Sequence, residues 1–150
     1  MRRPAAVPLI VIAVALVLAG CVGPARTTSG YEGKATRTAN DALSQVQTAR
    51  LTVQASLHGK MLQSYMETML SDAEDALSSI QATFGSIQPP DTARADRLRD
   101  DLNKVLSNAA DALSQLRIDA RRQHSDKLAI EVAALGPIAD KLEAFSKANG

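Results

Sequence analysis

The sequence predicts an all-α protein, an up-down-up-down antiparallel four-helix bundle behind a flexible N-terminal tether. Alanine accounts for 26 of the 150 residues and aromatic residues for only 3%, a composition that favours closely packed helices over a β-sandwich core. From about residue 35 onward, apolar residues recur at steps of three and four, the period of an amphipathic helix. The breaks between these stretches are only a few residues long, so successive helices must be antiparallel neighbours.

The first predicted helix covers residues 35–57 and ends at His58-Gly59-Lys60. The second covers residues 61–84, and Gly85 is expected to take the left-handed conformation that often follows a helix. Ser71–Glu74 has capping-box spacing and offers a competing start, but the apolar stripe passes through it without a change of phase. The expected inward positions of these two helices are Ala39, Ala42, Val46, Ala49, Val53 and Leu57, then Leu62, Met66, Met69, Ala73, Ala76, Ile80 and Phe84.

The third predicted helix begins after Asp91, a favourable N-cap, and ends near Arg121-Arg122. The fourth begins at Ser125, also expected to act as a cap, and contains Gly136-Pro137, where a kink is expected. The expected inward positions are Ala95, Leu98, Leu102, Val105, Ala109, Ala112 and Leu116, then Leu128, Val132, Leu135, Ile138, Leu142 and Phe145.

The N-terminal residues have the pattern of an export signal. Two arginines follow Met1, and residues 9–19 form an unbroken apolar run of eleven residues, which is short for a membrane-spanning helix. The run ends in Leu18-Ala19-Gly20-Cys21, which resembles the lipobox of bacterial lipoproteins. That resemblance implies a diacylglyceryl group on the thiol of Cys21 and cleavage before that residue. An uncleaved signal anchor with an incidental cysteine is the alternative.

This interpretation divides the chain into a signal peptide (1–20), a lipidated cysteine with a flexible tether (21–34) and a helical domain (35–148). Residues 22–34 are rich in Gly, Ser, Thr and Pro and have no apolar period, which is typical of a tether. Two or three acyl chains, palmitate among them, suffice to hold a protein on a bilayer. The expected location is the extracytoplasmic face of the cell membrane, as a lipid-anchored protein of the cell envelope.

The charge balance and the lack of catalytic motifs restrict the classes of function expected for this chain. Removal of Arg2 and Arg3 leaves 15 basic against 16 acidic residues, which argues against a nucleic-acid-binding protein. The chain carries no nucleophile, phosphate-loop or metal-ligand motif, so we expect no enzyme, no cofactor and no metal. The expected role is a non-enzymatic interaction or structural module. The alternative is a small-ligand-binding sensory module, with Met61, Met66 and Met69 near Tyr65 lining a pocket.

A second resemblance concerns the part of the chain that would remain after cleavage before Cys21. Ser86–Asp91, Ala95–Asp100 and Arg117–Arg122 are similar to segments of uncharacterised helical lipoproteins of actinobacteria, over roughly residues 60–125. The resemblance implies a helical fold and an envelope location, and it brings no activity.

In the predicted topology, the first and third turns share the end of the bundle that is remote from the tether. We call this end the basic tip and define it by His58, Lys60, Arg121, Arg122, His124 and Lys127. Clustered cations raise the local potential even on a nearly neutral chain. The expected partners are therefore the membrane, through the N-terminal lipid, and an unknown envelope protein or polyanion at the tip.

Overall fold

The computed structural model describes residues 27–150, which form four α-helices and no strand. The helices are α1 (Thr28–Leu57), α2 (Gln63–Gly85), α3 (Ala93–Arg121) and α4 (Ser125–Asn149). Each helix packs against the next along the chain, and α4 also packs against α1, which closes the bundle. The predicted four-helix bundle is confirmed. No helix in this part of the chain is both long and apolar enough to cross a membrane.

Small side chains bring two opposite helices together. The diagonal pair α1 and α3 are in contact, whereas the described parts of α2 and α4 are not. On α1 the inward face carries mainly alanine and valine, with Ala35, Ala39, Ala42, Val46, Ala49 and Val53 fully buried. Opposite them, α3 contributes five buried leucines, Leu98, Leu102, Leu106, Leu113 and Leu116. The alanine abundance of the sequence therefore sets the short diagonal of the bundle.

The start of α1 differs from the prediction. The helix begins at Thr28, about seven residues earlier than expected, with the side chain of Thr27 accepting a hydrogen bond from the amide of Gly30 at 3.1 Å. Tyr31 is completely buried. The proposed tether is therefore wrong for residues 28–34, which belong to the bundle, while residues 21–26 lie outside the described residues. The lack of an apolar period misled the prediction because one large aromatic side chain anchors this turn.

The inward faces of α2 and α3 are rotated slightly from the expected ones. On α2 the buried positions are Leu70 and Leu77 in place of Met69 and Ala76, and Leu62 is exposed. On α3, Leu106 and Leu113 are buried, whereas Val105 and Ala112 are only partly covered. Both shifts are by one residue, and at three of the four positions the buried leucine is larger than the alanine or valine expected there and buries more apolar area.

The predicted caps of α3 and α4 also need correction. Thr92, and not Asp91, caps α3 by accepting a hydrogen bond from the amide of Ala95 at 3.3 Å. Ser125 is the first residue of α4, the N-cap is His124, and no side chain caps this end. Gly85 lies in the last turn of α2, and the positive φ of 67° belongs to Gly59 in the first turn instead. The helix at Ser71–Glu74 is uninterrupted, as expected, and α4 continues through Pro137.

Candidate functional site: the basic tip and its buried carboxyl pair

The structure places all six residues of the basic tip at the same end of the bundle, on or beside the α1–α2 and α3–α4 turns. Four of them, Lys60, Arg121, Arg122 and Lys127, are exposed cations. None of these four forms an ion pair within 4 Å in the described part of the chain. These four side chains therefore present their charges at the surface of the tip.

The two histidines of the tip have different surroundings. The ring of His58 is exposed, and its Nδ1 lies 2.6 Å from the carbonyl oxygen of Gln54, to which it donates. Nδ1 of His124 lies 2.9 Å from Oδ1 of Asp119. Since a carboxylate oxygen only accepts, the imidazole is the donor. His124 is thus fixed at the α3–α4 turn, whereas His58 completes the last turn of α1.

Asp119 is the unexpected member of this site. It lies in the last turn of α3, and its side chain is only 1% exposed. A carboxylate at a helix C-terminus faces the negative end of the helix dipole, so it needs donors. Nε2 of Gln115 donates to Oδ2 at 2.6 Å, and His124 donates to Oδ1. These two hydrogen bonds hold the pKa of Asp119 at about 2, below its ordinary value of 3.8, with smaller contributions from Glu131 and Lys127.

Glu131, one helical turn after Lys127 on α4, faces Asp119. Burial, together with the neighbouring Asp119 carboxylate, raises the pKa of Glu131 from 4.5 to about 7, against the opposing effect of Lys127. Its Oε2 atom is buried and has no hydrogen-bond partner among residues 27–150. Two carboxyl groups that meet in a partly dry site titrate as a pair, with one held ionised and the other held neutral.

The sequence contained a signal for both carboxyl groups. Asp119 follows Leu116 by three residues and Glu131 follows Leu128 by three, so each continues the apolar stripe of its helix. An acidic residue on an inward stripe is rarely buried without partners. Sequence analysis singled out neither residue and therefore missed this pair.

Two clefts border the tip. One, of about 420 Å³, lies between α2 and α3 and is lined by Ser64, Glu67, Thr68, Ser71, Asp72, Arg117 and Arg121. The other, of about 340 Å³, is lined by Ser56, Leu57, Gln63, Met66, Gln123, Ser125 and Leu128. Between them, Nε2 of Gln63 donates to the carbonyl oxygen of Ala120 at 2.6 Å and so ties the start of α2 to the end of α3.

The site contains one carboxylate–imidazole pair, Asp119 and His124. The Asp119–His124 pair resembles the orienting half of a general base, but no hydroxyl or thiol of residues 27–150 is hydrogen-bonded to the imidazole. Within the same residues, no group of three or more His, Cys, Asp or Glu side chains is arranged to hold a metal ion. The lipobox residues Leu18, Ala19, Gly20 and Cys21 lie outside the described residues.

Fold and site together define a small helical bundle with a basic tip and a buried carboxyl pair beneath it. Comparison of the chain with protein-family models, curated proteins and solved structures gave no match.

Proposed function

We propose that this protein is a lipid-anchored protein of the cell envelope that presents a non-enzymatic helical bundle to a partner. The observation that carries the proposal is the sequence Leu18-Ala19-Gly20-Cys21 at the end of an eleven-residue apolar run. Small residues before a cysteine allow a peptidase to reach the backbone, and the thiol of Cys21 is the only one in the chain.

The arrangement of the bundle supports this proposal. Thr28, the first helical residue, follows Cys21 after only six intervening residues, which can span at most about 20 Å when fully extended. A lipid on Cys21 would therefore hold this end of the bundle close to the bilayer. The basic tip would lie at the opposite end, about 45 Å away along the 30 residues of α1.

The core supports an interaction module over a ligand sensor. Met66 is 1% exposed within the core, whereas its neighbour Tyr65 is 56% exposed. The two side chains therefore do not converge on a common cavity. The exposed cations of the tip are the feature best placed to meet a partner, and their chemistry suits an anionic surface or polymer.

Mass spectrometry of the protein purified from membranes tests the anchor. We expect a mature chain that begins at Cys21 and carries acyl groups, and we expect Cys21→Ser to remain unacylated. Gly20→Ala is the matched control, because it keeps a small residue beside the thiol and should be processed normally. An intact N-terminus at Met1 together with an unmodified thiol would refute the proposal.

A further inference from the structure

The buried carboxyl pair links two helices that are otherwise joined by a three-residue turn. Asp119 sits on α3 and Glu131 on α4, two helices that pack together, and each carboxyl group contributes to the pKa shift of the other. Asp119 has its two donors, Gln115 and His124. Oε2 of Glu131 has none, although it is buried.

A proton on Glu131 accounts for this unpartnered oxygen. Two ionised carboxylates only accept hydrogen bonds, so neither can satisfy the other. Once protonated, Glu131 becomes a donor, and Asp119 is the acceptor beside it. Such a bond between a neutral carboxyl group and a carboxylate is charge-assisted and therefore strong.

We propose that a single proton shared by Asp119 and Glu131 latches α4 onto α3, and that loss of this proton loosens the basic tip. With the proton in place, the site holds one negative charge. Without it, two carboxylates face each other in a partly dry site, where their repulsion is weakly screened. The pKa of about 7 for Glu131 places this change near neutral pH.

The charged groups around the pair include one cation that acts on both carboxyl groups. This cation is Lys127 on α4. In the turn, His124 donates its Nδ1 hydrogen to Asp119. On α2, Nε2 of Gln63 donates to the carbonyl oxygen of Ala120 and to Oε1 of Glu67. On α1, Nη1 of the half-buried Arg50 donates to Gln47 at 3.2 Å, and its buried Nε has no hydrogen-bond partner among the described residues.

The start of α4 is the segment that we expect to loosen when the proton is lost. The end of α3 is held by the bond from Gln63 to Ala120, whereas α4 begins without any side-chain cap. An uncapped helix start leaves its first amides with few partners and opens readily. Loosening there would displace Lys127 relative to Arg121 and Arg122 and so change the spacing of charges on the tip.

The proton can be observed directly by ¹³C NMR of the full-length chain in detergent micelles, labelled at glutamate side chains. The signal that disappears in Glu131→Gln belongs to Glu131, and we expect it to titrate near pH 7. In Asp119→Asn the same signal should titrate at lower pH, because the neighbouring charge is gone. A Glu131 signal that titrates near the ordinary glutamate value of about 4.3 would overturn the proposal.

Hydrogen exchange measures the latch itself. After correction for the pH dependence of intrinsic exchange, we expect amides of residues 124–131 to lose protection on the order of tenfold between pH 5.5 and pH 8. Glu131→Gln should abolish this dependence, since its neutral amide keeps a donor at every pH. Glu143→Gln, on the same helix and ion-paired to Lys147 at the surface, is the matched control and should behave as wild type. The same pH dependence in Glu131→Gln and wild type would overturn the latch.

Discussion

Tyr31 and Phe84 pack against each other with ring centroids 5.7 Å apart and an interplanar angle of 31°. The contact joins the first turn of α1 to the last turn of α2, and both side chains are fully buried. Half of the four aromatic residues in the chain therefore serve one end of the bundle.

This contact yields a prediction for Tyr31. Tyr31→Ala should lower the free energy of unfolding by about 3 kcal/mol, since it removes a buried aromatic ring and leaves a cavity. Tyr31→Phe should be neutral or stabilising, because the hydroxyl is buried without a hydrogen-bond partner. Chemical denaturation monitored by circular dichroism checks both. Tyr65→Ala, at an exposed position, should change stability little, and an equal loss at both tyrosines would contradict the assignment.

The cap of α3 provides a second test at two adjacent residues. Thr92→Ala should cost about 1 kcal/mol, because the threonine hydroxyl accepts the amide of Ala95. Asp91→Ala should cost much less, since this side chain makes no such bond. Thermal melting of the two variants distinguishes them. A larger effect at Asp91 would mean that the helix begins one residue earlier.

The phase of α3 can be tested at Leu106 and Val105. Leu106→Ala should destabilise the fold by 2 kcal/mol or more, as expected on the order of 2–5 kcal/mol for a fully buried leucine. Val105→Ala should cost clearly less, because Val105 lies at the margin of the core. Urea denaturation measures the difference. If Val105 proved the more sensitive position, the inward face would be rotated from the one described.

Stability should depend on pH through the carboxyl pair. The pKa of Asp119 is depressed to about 2, so its contribution is present above pH 4 and is lost as the pH falls toward 2. The pKa of Glu131 is raised to about 7, so stability falls as the pH rises from 4.5 toward 7. As the pH is lowered from 4 toward 2, the melting temperature of Asp119→Asn should fall less steeply than that of wild type. Asp111→Asn, at an exposed position on the same helix, should keep the wild-type dependence.

The tip should bind polyanions in a salt-dependent manner. Neutralising Arg121 and Arg122 together, as Arg121→Gln and Arg122→Gln, should weaken retention on an anionic matrix at low ionic strength while leaving the helical signal unchanged. The matched control is the pair Arg97→Gln and Lys104→Gln, two exposed cations elsewhere on α3. Equal losses from the two pairs would show that net charge, and not the tip, governs the binding.

The sequence predicted most of the fold because helical periodicity survives in every one of the four helices. The position of each turn followed from short polar breaks such as His58–Lys60; the positive φ at Gly59 within this break was not predicted. The one-residue errors at Leu70, Leu77, Leu106 and Leu113 arose because stripes at steps of three and four leave adjacent apolar positions nearly equivalent.

The tip was predictable in part. Its cations were found because turn position alone brings Lys60 and Arg121 to one end. The carboxyl pair was not found, because the pairing of Asp119 with Glu131 depends on the relative rotation and depth of α3 and α4. A sequence shows that each acid lies on an inward stripe, but only packing shows that the two stripes place them together.

The contact between α1 and α4 determines where additions to this protein emerge. The hydroxyl of Thr36 donates to the carbonyl oxygen of Asn149 at 3.0 Å, so the last turn of α4 lies beside the third turn of α1. A reporter attached after Gly150 would thus project from the same end as Thr27, next to any bilayer that holds Cys21. A short insertion at Gly59 would project from the other end, which makes that turn the better place for an epitope meant to be reached by an antibody.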